Sequence, residues 1–127
     1  MTAEKAVERF LPLKPPHFHI LLTLSGGPAH GYGIRREVDE RTAGRIVLSA
    51  GTLYETLDRL VRDGLLAEAP QPASATEASS RWRFYRLTPL GQRVLRAEVA
   101  RLEQDMGLAR AKLSSLGGSG GRAGSAS

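Results

Sequence analysis

The segment SAGTLYETLDRLVRDG, residues 49–64, is the part of the chain that the other elements are arranged to hold. It predicts a short helix, because Ser49 can accept a hydrogen bond from a free first-turn amide and Gly64 can form the left-handed turn that ends a helix. One face carries leucines at helical spacing, namely Leu53, Leu57 and Leu60. The other faces are small near the start and more basic further along, with Gly51, Thr52, Glu55, Thr56, Arg59 and Arg62.

The polar surface of this helix has two interpretations. Small and hydroxyl-bearing residues let another molecule approach the helix N-terminus closely, and the free amides there favour an anion such as phosphate. The alternative is an ordinary amphipathic helix whose polar face is solvated. The segment by itself leaves both open.

Composition points to nucleic acid and excludes several other classes. The chain has 127 residues, a net charge of +5 and basic residues that are mostly arginine, which suits phosphate and guanine. It contains no cysteine, which excludes disulfides and thiolate metal sites. Acidic residues at Glu4 and Glu8 argue against a signal peptide, and no segment approaches the roughly 20 apolar residues of a membrane span. We therefore expect a soluble, cytoplasmic protein without a membrane partner.

Helical patterns precede the central segment. Residues 3–11 predict a short helical arm, and a second, strongly apolar helix opens at Pro16. A third helical pattern begins at His30 and ends near Gly44. Residues 45–48 are partly β-branched and predict one short strand that leads into the central helix.

A β-hairpin is predicted after the central helix. Residues 65–69 and 81–87 are the candidate strands, and residues 70–80 between them lack periodicity. Alternation in the second strand places one set of side chains together, Trp82, Phe84 and Arg86, and the other set opposite, Arg81, Arg83, Tyr85 and Leu87.

The C-terminal part predicts a long helix that pairs with a second copy. Thr88 and Pro89 supply an N-cap and a first-turn proline. Apolar residues then alternate at spacings of four and three, the heptad pattern of a coiled coil: Leu95, Val99, Leu102, Met106, Ala109, Leu113 and Leu116. The glycine- and serine-rich run from Gly117 onward predicts a disordered tail.

This order of elements is that of a winged helix-turn-helix, so the expected class is α+β, mainly α, with a long C-terminal dimerisation helix. We expect residues 1–14 as an N-terminal arm with a short helix and residues 15–87 as the DNA-binding domain. Residues 88–116 form the dimerisation helix, and residues 117–127 the disordered tail.

Five motifs in order resemble the PadR family of bacterial transcriptional regulators. They are His30-Gly31-Tyr32-Gly33-Ile34, Gly51-Thr52-Leu53-Tyr54, Leu57 with Arg59-Leu60, Asp63-Gly64-Leu65, and Phe84-Tyr85-Arg86-Leu87-Thr88 with Gly91. The similarity runs from about Leu13 to Leu113, and the single C-terminal helix resembles the compact subgroup of that family. The chain departs from the family pattern at Ala50, where proline is frequent, and at the wing tip, residues 72–80, which lacks a basic cluster.

The resemblance implies a homodimeric repressor that binds a palindromic operator in double-stranded DNA and leaves it when an effector binds. The implied contacts are Ser49, Gly51, Thr52 and Tyr54 at the helix start, with Tyr32 touching phosphate. Arg59 adds positive charge on the same helix, and Arg81 and Arg83 are the candidates on the wing. For Tyr54 the alternative is partial burial against the wing, and for the two wing arginines a solvated strand edge.

The sequence gives little support to other functional classes, such as an enzyme or a metal-binding protein. No catalytic triad spacing or phosphate-binding glycine loop is present, so we expect neither an enzyme nor a cofactor. His17, His19 and His30 lack an accompanying carboxylate cluster, so we expect no metal. A small hydrophobic effector between Leu95, Val99, Leu102 and Met106 stays open beside plain dimer packing. The alternative function is a winged-helix dimer that mainly binds a small molecule or a protein.

Overall fold

The structure is a computed structural model that describes residues 3–72 and 82–118. Its elements follow in the order α1 (Ala3–Glu8), α2 (Pro15–Leu24), β1 (Ala29–His30), α3 (Gly31–Arg41), α4 (Ala50–Arg62), β2 (Leu66–Ala69), β3 (Phe84–Leu87) and α5 (Pro89–Gly118). Most of the predicted wing tip and the candidate Arg81 lie outside the described residues, as does the tail beyond Gly118. Within the described ranges, no helix is both long and apolar enough to cross a bilayer.

The sheet is antiparallel with strand order β1-β3-β2. The predicted hairpin is confirmed, because β2 pairs with β3 from Leu66 opposite Leu87 to Ala69 opposite Phe84. The edge strand was not predicted: β1 pairs with β3 on its other side, with His30 opposite Phe84. His30 therefore ends this strand and is also the N-cap of α3.

The strand predicted at residues 45–48 is wrong. α3 ends in a tight turn in which Ala43 and Gly44 have φ values of 53° and 77°. The Thr42 hydroxyl then accepts a hydrogen bond from the Ile46 amide at 3.1 Å. Because this amide is satisfied locally, the β-branched residues form an irregular connection between α3 and α4 instead of a strand.

Strict alternation along β3 also fails at one position. Tyr85 and Leu87 on one side of the strand are buried, but Phe84 on the opposite side is buried as well. The His30 ring covers Phe84 in an edge arrangement with ring centroids 5.3 Å apart. The additional strand β1 thus buries a residue that a two-stranded hairpin would expose.

The core lies between α2, α3, α4 and the sheet, and it positions α4. The predicted apolar face of α4 is confirmed, because Leu53, Leu57 and Leu60 are buried. Fully buried partners come from the neighbouring elements, namely Ile20, Leu21, Ile34, Val38, Leu65 and Leu66. Gly64 has φ +82° and ends α4 as predicted. The small and basic surface of α4 is consequently turned away from the core.

The start of α5 is tied to the end of α4. The Thr88 hydroxyl accepts from the Gly91 amide at 3.0 Å, which confirms Thr88 as an N-cap, and it donates to the Gly64 carbonyl at 2.5 Å. Gly91 lies directly on the Leu65 backbone, where a Cβ would overlap with the Leu65 carbonyl oxygen. A glycine is therefore required where α5 crosses this loop.

The chain divides into two compact units, Met1–Arg96 and Ala97–Ser127. The first contains α1 to α4, the sheet and the first turns of α5. In the described part of the second, α5 continues to Gly118, two residues beyond the predicted end at Leu116. There Arg101 donates to Glu98 at 2.6 Å and to Asp105 at 3.2 Å, which stabilises the helix along its own length.

Candidate nucleic-acid interface

The start of α4 presents small, polar and exposed residues. The Ser49 side chain accepts a hydrogen bond from the Thr52 amide at 3.2 Å, so the predicted N-cap is confirmed. The Ser49 and Thr52 hydroxyls are also hydrogen-bonded, at 3.0 Å. A Cβ at Gly51 would meet nothing within 4 Å, so this surface is open. An ordered helix start with exposed amides can accept a phosphate or approach the edges of bases.

Tyr54 of α4 lies beside the start of α3. Its side chain is 46% exposed, and its ring lies against Gly31 at the start of α3. A Cβ at position 31 would be 2.6 Å from the Tyr54 hydroxyl oxygen. Tyr54 therefore sets the spacing between the starts of α3 and α4 while its exposed part stays available for contact.

The start of α3 is capped by a histidine. The His30 Nδ1 atom accepts a hydrogen bond from the Gly33 amide at 3.0 Å. This hydrogen bond requires a neutral ring with its proton on Nε2. Burial lowers the pKa of His30, which favours the same neutral form. Tyr32 follows in the first turn and is 56% exposed, as a phosphate contact would need. Sequence analysis missed this cap because histidine is not among the usual N-cap residues.

An aromatic cluster surrounds His30 and was also missed. The centroid of the Trp82 ring lies 4.2 Å from that of the His30 ring, and the Tyr32 ring is stacked with His30 at a centroid distance of 6.3 Å. Tyr32 and Trp82 are themselves 6.4 Å apart. The predicted alternation placed Trp82 beside Phe84, but the pairing of β1 with β3 was needed to bring His30 and Tyr32 to the same place.

The two basic candidates that the structure describes, Arg59 and Arg83, are exposed, and each has an acidic neighbour. Arg59 lies 3.4 Å from Asp63, one turn further along α4. Arg83 lies 4.0 Å from Glu68 on the paired strand. Ion pairs between exposed groups are weak, about 0–1 kcal/mol, so phosphate can replace either carboxylate.

A further arginine that the sequence analysis did not select lies beside Tyr32. Arg35 is exposed and forms no ion pair with any residue that the structure describes. It lines a groove of about 240 Å³ between α3 and the connection to α4, together with Tyr32, Arg36, Asp39, Val47 and Leu48. Its position one turn after Tyr32 was readable from the helical pattern, but its closeness to the connection before α4 was not.

The predicted dimerisation residues differ in exposure within one chain. Leu95 is buried in the first unit, and Leu102 is half-buried. The others are exposed along the second unit, namely Val99, Met106, Ala109 and Leu113. Leu95 also lines a groove of about 540 Å³ in the first unit, with apolar residues and two arginines, namely Leu24, Leu87, Arg86 and Arg96 among others.

His17 and His19 lie on α2, which Arg41 of α3 contacts. Arg41 donates to the His19 carbonyl and to the Thr23 hydroxyl, which links α3 to α2. Burial lowers the pKa of both His17 and His19. In the part of the chain that the structure describes, no three His, Cys, Asp or Glu side chains are close enough to hold a metal ion.

A model of the transcriptional regulator PadR-like family matches residues 20–97, which include α3, α4 and the whole sheet. The chain belongs to this family. The resemblance found in the sequence is therefore confirmed. So is the fold class: mainly helical with a small antiparallel sheet, a DNA-binding winged helix and a long C-terminal helix.

Solved structures support the same fold. A PadR family transcription regulator from Clostridium difficile R20291 has a TM-score of 0.67 at 22% identity, with 79% of this chain and 99% of that chain covered. A transcriptional regulator from Clostridium thermocellum has a TM-score of 0.60 at 20% identity, with 87% and 96% covered.

One curated relative is much longer than this chain. A 37.1 kDa protein in transposon TN4556 of Streptomyces fradiae is 35% identical over 80 residues, which are 63% of this chain and 21% of that protein. The chain thus spans about a fifth of the length of that relative.

Proposed function

We propose that this chain is a homodimeric transcriptional repressor that binds a palindromic operator in double-stranded DNA and is released by an effector. The observation that carries the proposal is the start of α4, where Ser49, Gly51 and Thr52 are exposed and ordered by the Ser49 cap. Because the leucine face of α4 is held by the core, this end is free to enter a major groove about 12 Å wide. The protein would act on DNA in the cytoplasm, without catalysis or a cofactor.

The surrounding residues supply the phosphate contacts. Tyr32, which lies at the start of α3, contacts a DNA phosphate. The exposed part of Tyr54 contacts DNA beside Thr52. Arg59 and Arg83 exchange their weak carboxylate partners for phosphate oxygens, and Arg81 is assigned the same role on the wing. These contacts give affinity for any duplex, whereas the start of α4 gives sequence preference.

Dimerisation is assigned to α5. Its apolar residues recur at heptad spacing, most of them exposed within one chain, and a seam of this kind is stabilised by a second copy. The members are Leu95, Val99, Leu102, Met106, Ala109 and Leu113. A symmetric dimer would present two copies of α4 to symmetric half-sites.

A small hydrophobic effector is assigned to the apolar surface around Leu95, Val99, Leu102 and Met106. The groove in the first unit supports a ligand at the Leu95 end of this set, because apolar residues and two arginines line it. The same groove supports the alternative function, a winged-helix dimer that mainly binds small molecules or proteins.

The DNA proposal is tested by fluorescence anisotropy with a duplex from upstream of the gene and a scrambled duplex, across a salt series. Specific binding with a steep salt dependence is expected, because phosphate contacts release counterions. Thr52→Ala should weaken specific binding about two- to twelvefold, the loss of one hydrogen bond of about 0.5–1.5 kcal/mol. Thr56→Ala, one turn further along α4, is the matched control. Equal binding of both duplexes would refute operator recognition.

The dimer is tested by sedimentation at micromolar concentration. We expect a dimer for the wild type and a monomer for Leu113→Lys, because a charge in the seam loses the apolar contact. Leu108→Lys is the matched control, since Leu108 is 58% exposed, comparable to Leu113 at 65%, but lies off the seam. A monomeric wild type would contradict the assignment of α5.

A further inference from the structure

The aromatic cluster of Tyr32, His30 and Trp82 leaves apolar surface exposed beside the start of α3. Trp82 is 43% exposed and Tyr32 is 56% exposed, although their rings lie only 6.4 Å apart. Neither ring is needed to cover Phe84, because Phe84 is buried and the His30 ring already lies against it. Grouped aromatic residues on a surface are typical of a contact site.

We infer that Trp82 and Tyr32 together form a contact for the sugar–phosphate backbone of double-stranded DNA, with Trp82 as a binding residue that no sequence motif identified. The inference rests on the proposed DNA-binding function and extends its interface from α4 to the base of the wing. The occupant is the backbone itself rather than a particular base sequence.

Continuity with the start of α4 supports this occupant. Tyr54 of α4 packs on Gly31, which lies between His30 and Tyr32 in the chain. The cluster is therefore joined directly to the helix proposed to enter the major groove. A duplex bound there has one backbone strand along the edge of that groove, next to the wing.

Charge and hydrogen-bonding chemistry support the same occupant. Arg35 is exposed and lines the same groove as Tyr32, and the exposed Arg83 follows Trp82 directly in the chain, so positive charge accompanies both residues. The Trp82 indole N–H and the Tyr32 hydroxyl can each donate to a phosphate oxygen. Their ring faces can pack on deoxyribose, so the same surface can contact both the apolar sugar and the charged phosphate.

His30 supports both rings. The His30 ring is stacked with Tyr32 at an interplanar angle of 11° and also contacts the Trp82 ring. Its Nδ1 atom accepts a hydrogen bond from the Gly33 amide, which fixes the ring. A rigid support lowers the loss of side-chain entropy on binding. The pair is thus arranged before DNA arrives.

Tryptophan emission gives a direct test, because Trp82 is the one tryptophan of the sequence. We would titrate the full chain at low salt with the upstream duplex and with a scrambled duplex, and follow emission and its quenching by acrylamide. Backbone contact predicts changed emission and protection from acrylamide on both duplexes. Unchanged emission at saturation with either duplex would overturn the contact.

Variants separate this inference from the proposed function. Trp82→Ala should weaken binding to both duplexes about two- to twelvefold, the loss of one aromatic contact of roughly 0.5–1.5 kcal/mol, and Trp82→Phe should weaken it less. Leu108→Ala removes an exposed apolar side chain outside the cluster and should change neither affinity.

The outcomes are distinguishable. Retained operator preference with Trp82→Ala affinity equal to wild type would overturn the inference and leave the proposed function standing. Equal binding of both duplexes with Trp82 emission still protected would support the backbone contact and refute operator recognition. Absence of binding to either duplex would overturn both. Melting temperatures of each variant exclude unfolding as the cause of a lost affinity.

Discussion

Substitution of Gly31 by alanine should reveal how Tyr54 couples α4 to α3. The added Cβ would lie 2.6 Å from the Tyr54 hydroxyl oxygen, 2.8 Å from Cζ and 2.9 Å from Cε1. Comfortable carbon contacts need about 3.5–4.0 Å, so the ring has to retreat by roughly 1 Å. Overpacking of this kind costs about 1–3 kcal/mol, and alanine regains up to about 1 kcal/mol over glycine in a helix. The net expectation is a loss of about 1 kcal/mol in the free energy of unfolding.

A double-mutant cycle in urea unfolding provides the assay. In a Tyr54→Ala background the ring is gone, so Gly31→Ala should become neutral or stabilising by up to about 1 kcal/mol. The effect of the same substitution thus changes sign between the two backgrounds. Operator affinity should fall for Gly31→Ala in the wild-type background, because the displaced ring moves at the start of α4. An identical stability change in both backgrounds would refute the coupling.

Three further outcomes are expected. Gly91→Ala should lower the free energy of unfolding by about 1–3 kcal/mol or more, because its Cβ would overlap with the Leu65 carbonyl, as urea unfolding would measure. Gly107→Ala in the same helix should not destabilise and should raise the melting temperature, since a Cβ there meets nothing within 4 Å and alanine favours helix. Stability should also fall with pH below about 6.5, because burial lowers the pKa of each histidine and the unfolded chain then binds protons that the folded chain does not. His30→Asn keeps an acceptor for the Gly33 amide and should flatten that pH dependence, whereas an unchanged slope would contradict a neutral His30 cap.

Much of the fold was predictable because its signals are local. Ser49 and Gly64 mark the ends of α4, Thr88 caps α5, and leucine spacing identifies the buried face of α4. Each signal depends on residues within one or two helical turns, where helical geometry alone decides which side chains meet. The fold class followed from the order of these elements, and the family from the resemblance of five motifs in the sequence.

The misplaced strand has a local cause that the pattern concealed. Residues 45–48 are partly β-branched, which favours a strand. The Thr42 hydroxyl accepts a hydrogen bond from the Ile46 amide, however, and the segment is an irregular connection instead. Side-chain acceptors of this kind compete with strand pairing. Conversely, Ala29 and His30 show no strand pattern and become a strand because β3 offers them a free edge.

The candidate interface likewise contains residues that the sequence could identify and residues that only the tertiary structure brings together. Ser49, Gly51 and Thr52 could be selected from the chain, because exposure at a capped helix start follows from helical geometry. The packing of Tyr54 on Gly31 and the assembly of Trp82 with His30 and Tyr32 could not, since these residues are far apart in sequence and meet only when α3, α4 and β3 are placed. Periodicity specifies which face of an element is apolar, whereas the pairing of β1 with β3 decides which aromatic rings share a surface, because long-range contacts depend on the relative placement of whole elements.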